Sequence, residues 1–250
     1  MALPRRELLR QALGLGGAAL AAGSLGASPA GASGTGDRAL RRALTACRPA
    51  GDPLEALLAG NRRFAAAWQA SRGAELASAD RTSVMAALWS ETCQLDPDAL
   101  ARGQRPWAAV LACADSRVAP EWIFDVGPGE LFEVRSAGNT AFTEGIASLE
   151  YAVGELGVPL IVVMGHQGCG AVTAALSDKP LTPALEQLVA PIRDSLVPGD
   201  DLSQAVRGNA CNAARQLCER SALLLQAVTA GKLTIRPLHL DLATGLTALI

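Results

Sequence analysis

An excess of charge of either sign is missing from this chain. Its 22 basic and 24 acidic residues leave a net charge of −2, so composition gives no basic patch that would argue for a nucleic-acid partner. Aromatic side chains are scarce, at 4% of the residues. No internal repeat is visible, which sets aside solenoid and propeller architectures. What is present is half apolar and 18% charged, as in an ordinary soluble globular protein. A length of 250 residues suits one α/β domain with a substantial core, or at most two small domains.

The first 32 residues read as a targeting segment. Arg5 and Arg6 form a charged pair, Leu8 and Leu9 follow, and Gln11 to Ala32 carries no charge and many small residues. Ser28-Pro-Ala30 or Ala30-Gly-Ala32 offers a small-x-small cleavage site. The stretch PRRELLR resembles a twin-arginine export signal, the route for already folded proteins. A membrane anchor needs ~20 strongly apolar residues, whereas this stretch is interrupted by Gly14, Gly16, Gly17, Gly23 and Gly26. No cysteine stands at the cleavage site to take a lipid. The expectation is therefore export of residues 33–250 to a bacterial periplasm. Removal of three arginines and one glutamate would take the net charge from −2 to −4.

Residues 33–52 are small, polar and basic and read as a linker or N-terminal arm, with 53–250 as a single domain. From Pro53, the apolar residues Leu54, Leu57, Leu58, Phe64 and Trp68 have helical spacing. A further helix is expected around Val84–Trp89, and loops around LDPDALARGQ. The runs Trp107–Ala112, Leu131–Val134 and Leu160–Met164 are short and apolar, as buried strands are. Between the last two, Ile146, Leu149, Tyr151, Val153 and Leu156 suit a helix packed on a sheet. Strand–helix–strand order predicts βαβ units, hence a mostly parallel β-sheet flanked by helices. Residues 202–230 read as one long helical stretch and Leu233–Asp241 as a last strand.

Two segments carry the chemistry. CADSR holds Cys113, Asp115 and Arg117; HQGCG holds His166 and Cys169. Each begins where an apolar strand ends, and in open α/β sheets ligands bind outside the carboxyl ends of the strands. Side by side, these ends would unite two thiolates and an imidazole, a set suited to Zn²⁺. Cys113 and His166 lie too far apart in sequence for a zinc ribbon or finger, whose ligand pairs fall within ~20 residues. The site must therefore be built by the tertiary fold. Three firm ligands leave a fourth position for water or for Asp115, a fourth ligand in a closed state. Alternate residues of an extended segment share a side, so Arg117 can hold Asp115 in a planar two-pronged pair. With Asp115 on Arg117 the fourth position takes water; with Asp115 on the metal the site is shut. A site of this kind, with a zinc hydroxide oriented by Asp115, suits a small uncharged electrophile.

At these residues the sequence closely resembles the β-class carbonic anhydrases. ALLAGNRRF (56–64), GQRP (103–106), CADSR, PEWIFDVGPGELFEVRSAGN (120–139), EGIASLEYAVGELGV (144–158) and GHQGCGAV (165–172) carry the likeness. The resemblance implies one Zn²⁺ per chain on Cys113, His166 and Cys169, a catalytic Asp115–Arg117 dyad, and reversible hydration of CO₂ to bicarbonate and a proton. It implies that Gln104 hydrogen-bonds substrate and that Phe132, Ala137 and Tyr151 line the substrate pocket, partly across a dimer interface. It also implies a β-carbonic anhydrase-like fold that forms a homodimer or a dimer of dimers. Some members hold a Trp and a Tyr in an inhibitory bicarbonate site where this chain has Val110 and Leu240, which weakens the case for closure controlled by bicarbonate.

The other residues of chemical interest have plainer readings. Cys47, Cys93, Cys211 and Cys218 read as buried apolar cysteines, although an oxidising compartment leaves open a disulfide involving Cys47 or Cys93. His239 reads as a surface or interface residue, and Glu133 and Arg135 as a solvated or interface pair. Two functions compete with CO₂ hydration. One is hydrolysis of COS or CS₂ at the same zinc; the other is a non-catalytic zinc- or bicarbonate-binding scaffold, against which Gln104 and the intact Asp115–Arg117 pair argue.

Overall fold

Leucine, valine and alanine fill Ala108–Cys113 (β1) and Leu160–His166 (β3), and every residue of both strands is buried. Such runs, apolar on both faces, belong in the middle of a parallel sheet covered on each side. The computed structural model, which describes residues 33–72, 78–90 and 92–250, places them there. The strand order is β2-β1-β3-β4-β5, where β2 is Leu131–Ser136, β4 is Thr234–Leu240 and β5 is Thr247–Leu249. The first four strands run parallel, and β5 returns antiparallel to β4. The proposed export segment lies outside the described residues. Residues Asp37–Ile250 form one compact unit.

The helices are Ser33–Leu44 (α1), Pro53–Ala70 (α2), Ser78–Ser90 (α3), Pro97–Leu100 (α4), Pro120–Ile123 (α5), Thr143–Gly154 (α6), Gly170–Ala175 (α7), Pro183–Arg193 (α8), Leu202–Arg220 (α9) and Ala222–Thr229 (α10). Local chemistry starts several of them. Asp52 caps α2 by accepting from the Leu54 amide, with Pro53 in the first turn. Asp201 and Gln204 form a reciprocal capping box on α9.

Alternation along β1 divides the core between the faces of the sheet. Ala108, Val110 and Ala112 pack with Leu57, Phe64, Ile123 and Phe124 from α2 and the α5 region. Ala109 and Leu111 pack with Leu149 of α6, Ala213 and Leu217 of α9 and Leu224 of α10. A third cluster gathers Cys113, Cys169, Val172, Val189, Ile192 and Val206 where α7, α8 and α9 meet the strand ends. No helix among the described residues is long and apolar enough to cross a membrane.

Several expectations need correction. The stretch read as a linker or N-terminal arm, 33–52, begins with a helix, α1. Residues 202–230 form two helices, because Ser221 leaves helical geometry, caps α10 and donates to Glu150 Oε1 of α6 at 2.6 Å. Cys47 and Cys93 are bonded to each other, and Cys211 is exposed rather than buried. His239 is buried in β4, where Arg207 of α9 approaches its Nδ1 at 3.5 Å. Glu133 and Arg135 are not paired in solvent. Arg135 donates to the carbonyls of Cys113, Asp115 and Val118, while Glu133 faces Glu121.

Candidate metal centre

Parallel pairing brings the two motifs together. β1 and β3 are adjacent and in register from Ala109–Ile161 to Ala112–Met164, so their carboxyl ends place Cys113 beside His166. Cys169 follows a turn in which Gly168 adopts φ +67°, and it opens α7 as its N-cap residue. One ligand atom each from Cys113, His166 and Cys169 lies within 4.8 Å of the other two, and all three residues are buried. The sulfurs are 4.0 Å apart. Two thiolates at about 2.3 Å from one tetrahedral metal would be about 3.8 Å apart, so the donor set fits zinc in spacing as well as in kind. His166 Nε2 is buried without a hydrogen-bond partner, an orphan that a metal would satisfy. Its Nδ1 lies 3.1 Å from the Gln167 carbonyl, the outer contact that fixes a ligating imidazole.

Electrostatics also favours a cation. The Cys113 thiol is held well below the ordinary thiol range, first by the hydrogen bond from Cys169 and, against the cost of burial, by contacts with His166 and the Gly138 amide. Cys169 is pushed upward, because its partner has taken the negative charge and because it too is buried. Negative charge gathered on this buried pair would favour a divalent ion.

Asp115 stands at the edge of this cluster. Arg117 donates to it three times, from its backbone amide and Nε to Oδ1, both at 2.9 Å, and from Nη2 to Oδ2 at 2.7 Å. These hydrogen bonds hold the Asp115 carboxyl far below the usual carboxylate range. Its Oδ2 is 3.9 Å from His166 Nε2, close to the ligands while bonded away from them. Arg117 Nη2 also approaches the Gly168 carbonyl at 3.5 Å, which connects the dyad to the turn bearing Cys169.

Phe132 of β2 and Tyr151 of α6 meet as a tilted ring pair, 6.4 Å between centroids, and Tyr151 is 49% exposed. Ala137 lies in the turn after β2, next to Gly138. Gln104 is exposed in the segment leading into β1. None of these four hydrogen-bonds to the ligand cluster.

Sequence reasoning missed the supports of Cys113. The Gly138 amide donates to its sulfur at 3.2 Å, and Asn209 of α9 donates to the Gly138 carbonyl at 2.7 Å. Gly138 has φ +79°, and a Cβ there would lie 2.6 Å from Ile192 Cδ1, so only glycine brings the amide to the sulfur without strain. A backbone donor has no side-chain signature; the RSAGN segment offered a glycine but not its purpose.

Residues 108–247 match the model of the carbonic anhydrase family. Among curated proteins, the chain is 58% identical over 78 residues to carbonic anhydrase 2 of Mycobacterium tuberculosis, covering 31% of this chain and 38% of that one. It is 50% identical over 84 residues to a carbonic anhydrase of Pseudomonas aeruginosa, covering 31% and 38%. Thus the matched segments span about two fifths of those relatives. Among solved structures, the β-carbonic anhydrase CafA of Aspergillus fumigatus superposes with a TM-score of 0.55 at 25% identity, over 80% of this chain and 91% of that one. One of two tetrameric β-carbonic anhydrases of Sordaria macrospora superposes with a TM-score of 0.53 at 25% identity, over 60% and 83%.

Proposed function

The chain belongs to the carbonic anhydrase family, and on that premise we propose that it is a zinc lyase catalysing the reversible hydration of carbon dioxide to bicarbonate and a proton. The observation that carries this reading is the convergence of Cys113, His166 and Cys169 beside an Asp115 held by Arg117.

Cys113, His166 and Cys169 would hold the ion. When bound, zinc supplies Lewis acidity, which makes a nucleophile of water near neutral pH. The chain's own residues do the rest. Arg117 keeps Asp115 ionised and fixes its direction. The carboxylate accepts a hydrogen bond from the attacking water and aligns its lone pair. The Gly138 amide stabilises the Cys113 thiolate, so that the donor set is ready for a cation. Val172, Val189 and Ile192 pack with the two cysteines in one buried cluster, which shields the ligands from bulk water. Gln104 donates to a substrate oxygen, and Phe132, Ala137 and Tyr151 form the apolar pocket, completed by a second copy in a homodimer or dimer of dimers.

We also propose that the chain works in the periplasm after export. The Cys47–Cys93 disulfide supports that reading, since structural disulfides persist in oxidising compartments.

Stripping the purified protein with a zinc chelator and reloading it tests the assignment. CO₂ hydration should vanish with the metal and return in proportion to bound zinc, one ion per chain. Hydration that survives metal removal would overturn it.

A further inference from the structure

A cavity of about 980 Å³ lies between α2, α3 and the turn that carries Arg117. This is the upper end of the range for small-molecule sites. None of Cys113, Asp115, His166 or Cys169 lines it; Ser116 and Arg117 do, so it shares only the guanidinium side with the metal centre. Its walls are apolar and aromatic, with Phe64, Trp68, Met85, Trp122 and Leu242 among them. Phe64 and Trp68 are stacked, 5.8 Å between centroids and 22° between planes.

The polar complement is one-sided. Among the described residues, Arg72, Arg81 and Arg117 line the cavity and no carboxylate does, Asp115 holding Arg117 from outside the lining. Arg72 donates to the Ala243 carbonyl, a neutral partner. Cations set against low-dielectric walls focus a positive potential inward. An apolar body gains from burial, and an anionic head gains charge-assisted bonds to guanidinium.

From this pairing we propose that the cavity binds an amphipathic organic anion, a carboxylate or sulfonate on a hydrocarbon or aromatic body, free in solution. The body lies along Phe64, Trp68, Met85 and Trp122, and the head lies among the arginines. A head group that reaches Arg117 competes with Asp115 for the same guanidinium, which links the cavity to the metal centre. The inference does not depend on the reaction catalysed there.

Decanoate is a suitable probe, with decanol as its uncharged counterpart. Titration of the full chain by calorimetry and by tryptophan emission, to which Trp68 and Trp122 report directly, should give saturable one-to-one binding of decanoate. Decanol should bind about tenfold or more weakly. Arg81 is exposed, so Arg81→Glu should fold normally and weaken decanoate about tenfold, whereas Arg81→Lys should keep most of the affinity. Met85→Trp, which adds bulk along the apolar wall, should weaken decanoate. Absence of saturable binding, equal affinity for decanol, or wild-type affinity in Arg81→Glu would overturn the proposal.

Discussion

Arg117 grips Asp115 with both Nε and Nη2, at 2.9 and 2.7 Å, while its own amide binds the same carboxylate. The pair forms within three residues, so it needs no distant element to assemble it. Its effect is to hold an ionised acceptor 3.9 Å from a buried imidazole nitrogen that has no other partner. Asp115→Asn keeps the size and removes the charge. Zinc content should be unchanged and CO₂ hydration should fall by ~10²-fold or more, measured on metal-quantified protein. Full activity in that variant would remove Asp115 from the mechanism.

The same pair sets a pH expectation. Asp115 is depressed by Arg117's hydrogen bonds, so its contribution to stability is complete above the unfolded carboxylate pKa of ~3.9. It is lost only as pH falls through the still lower folded value. Between pH 5 and 9 the dyad does not titrate, and Asp115→Asn should lower the thermal midpoint by the same amount across that range.

Glu133 behaves in the opposite sense. Burial first, then the facing Glu121 carboxyl, pushes it up to about 8. The folded state therefore holds a proton that the unfolded state gives up, from ~4.3 upward. Stability falls as pH rises through that window. Glu133→Gln should raise the melting temperature at pH 8.5, on the order of the 2–4 °C that about 1 kcal/mol gives at this size, and change little at pH 4. Equal shifts at both pH values would contradict the assignment.

The Cys47–Cys93 bond closes a loop with a sequence separation of 46 and ties the segment after α1 to the segment after α3. Cys47→Ser should cost about 2–4 kcal/mol, read by denaturant unfolding. Adding reductant to the wild type should reproduce the loss and should not add to it in the variant.

Much of the fold was legible because its strands are buried on both faces. The runs at 107–112 and 160–164 differ from β1 and β3 by one or two residues at an end. The candidate metal ligands were legible because the two segments that bear them begin where such runs end. What escaped was fixed by contacts distant in sequence. The break at Ser221 interrupts a helical pattern that continues on both sides, and it is set by the bond to Glu150. His239 alternates like an exposed residue, and its side chain instead meets Arg207, which is distant in sequence on α9. The partner of Cys47 was not encoded by spacing, and the Gly138 amide depends on a loop held by Asn209.

Gly60, inside ALLAGNRRF, shows how close that packing is. A Cβ there would lie 1.8 Å from the Phe124 carbonyl oxygen, a backbone atom that cannot swing aside. Neighbouring Asn61 ties α2 to the Ile123 and Gly245 carbonyls at 3.1 and 2.9 Å. Gly60→Ala should force α2 off the sheet and cost about 1–3 kcal/mol or more, seen as a lowered urea midpoint.

The most direct test of the account is stopped-flow CO₂ hydration by the zinc-quantified protein between pH 6.5 and 9. The account predicts fast turnover proportional to bound zinc. A protein carrying one zinc per chain that hydrates no CO₂ across that range would contradict it, and turnover of COS or CS₂ by the same sample would reassign the substrate.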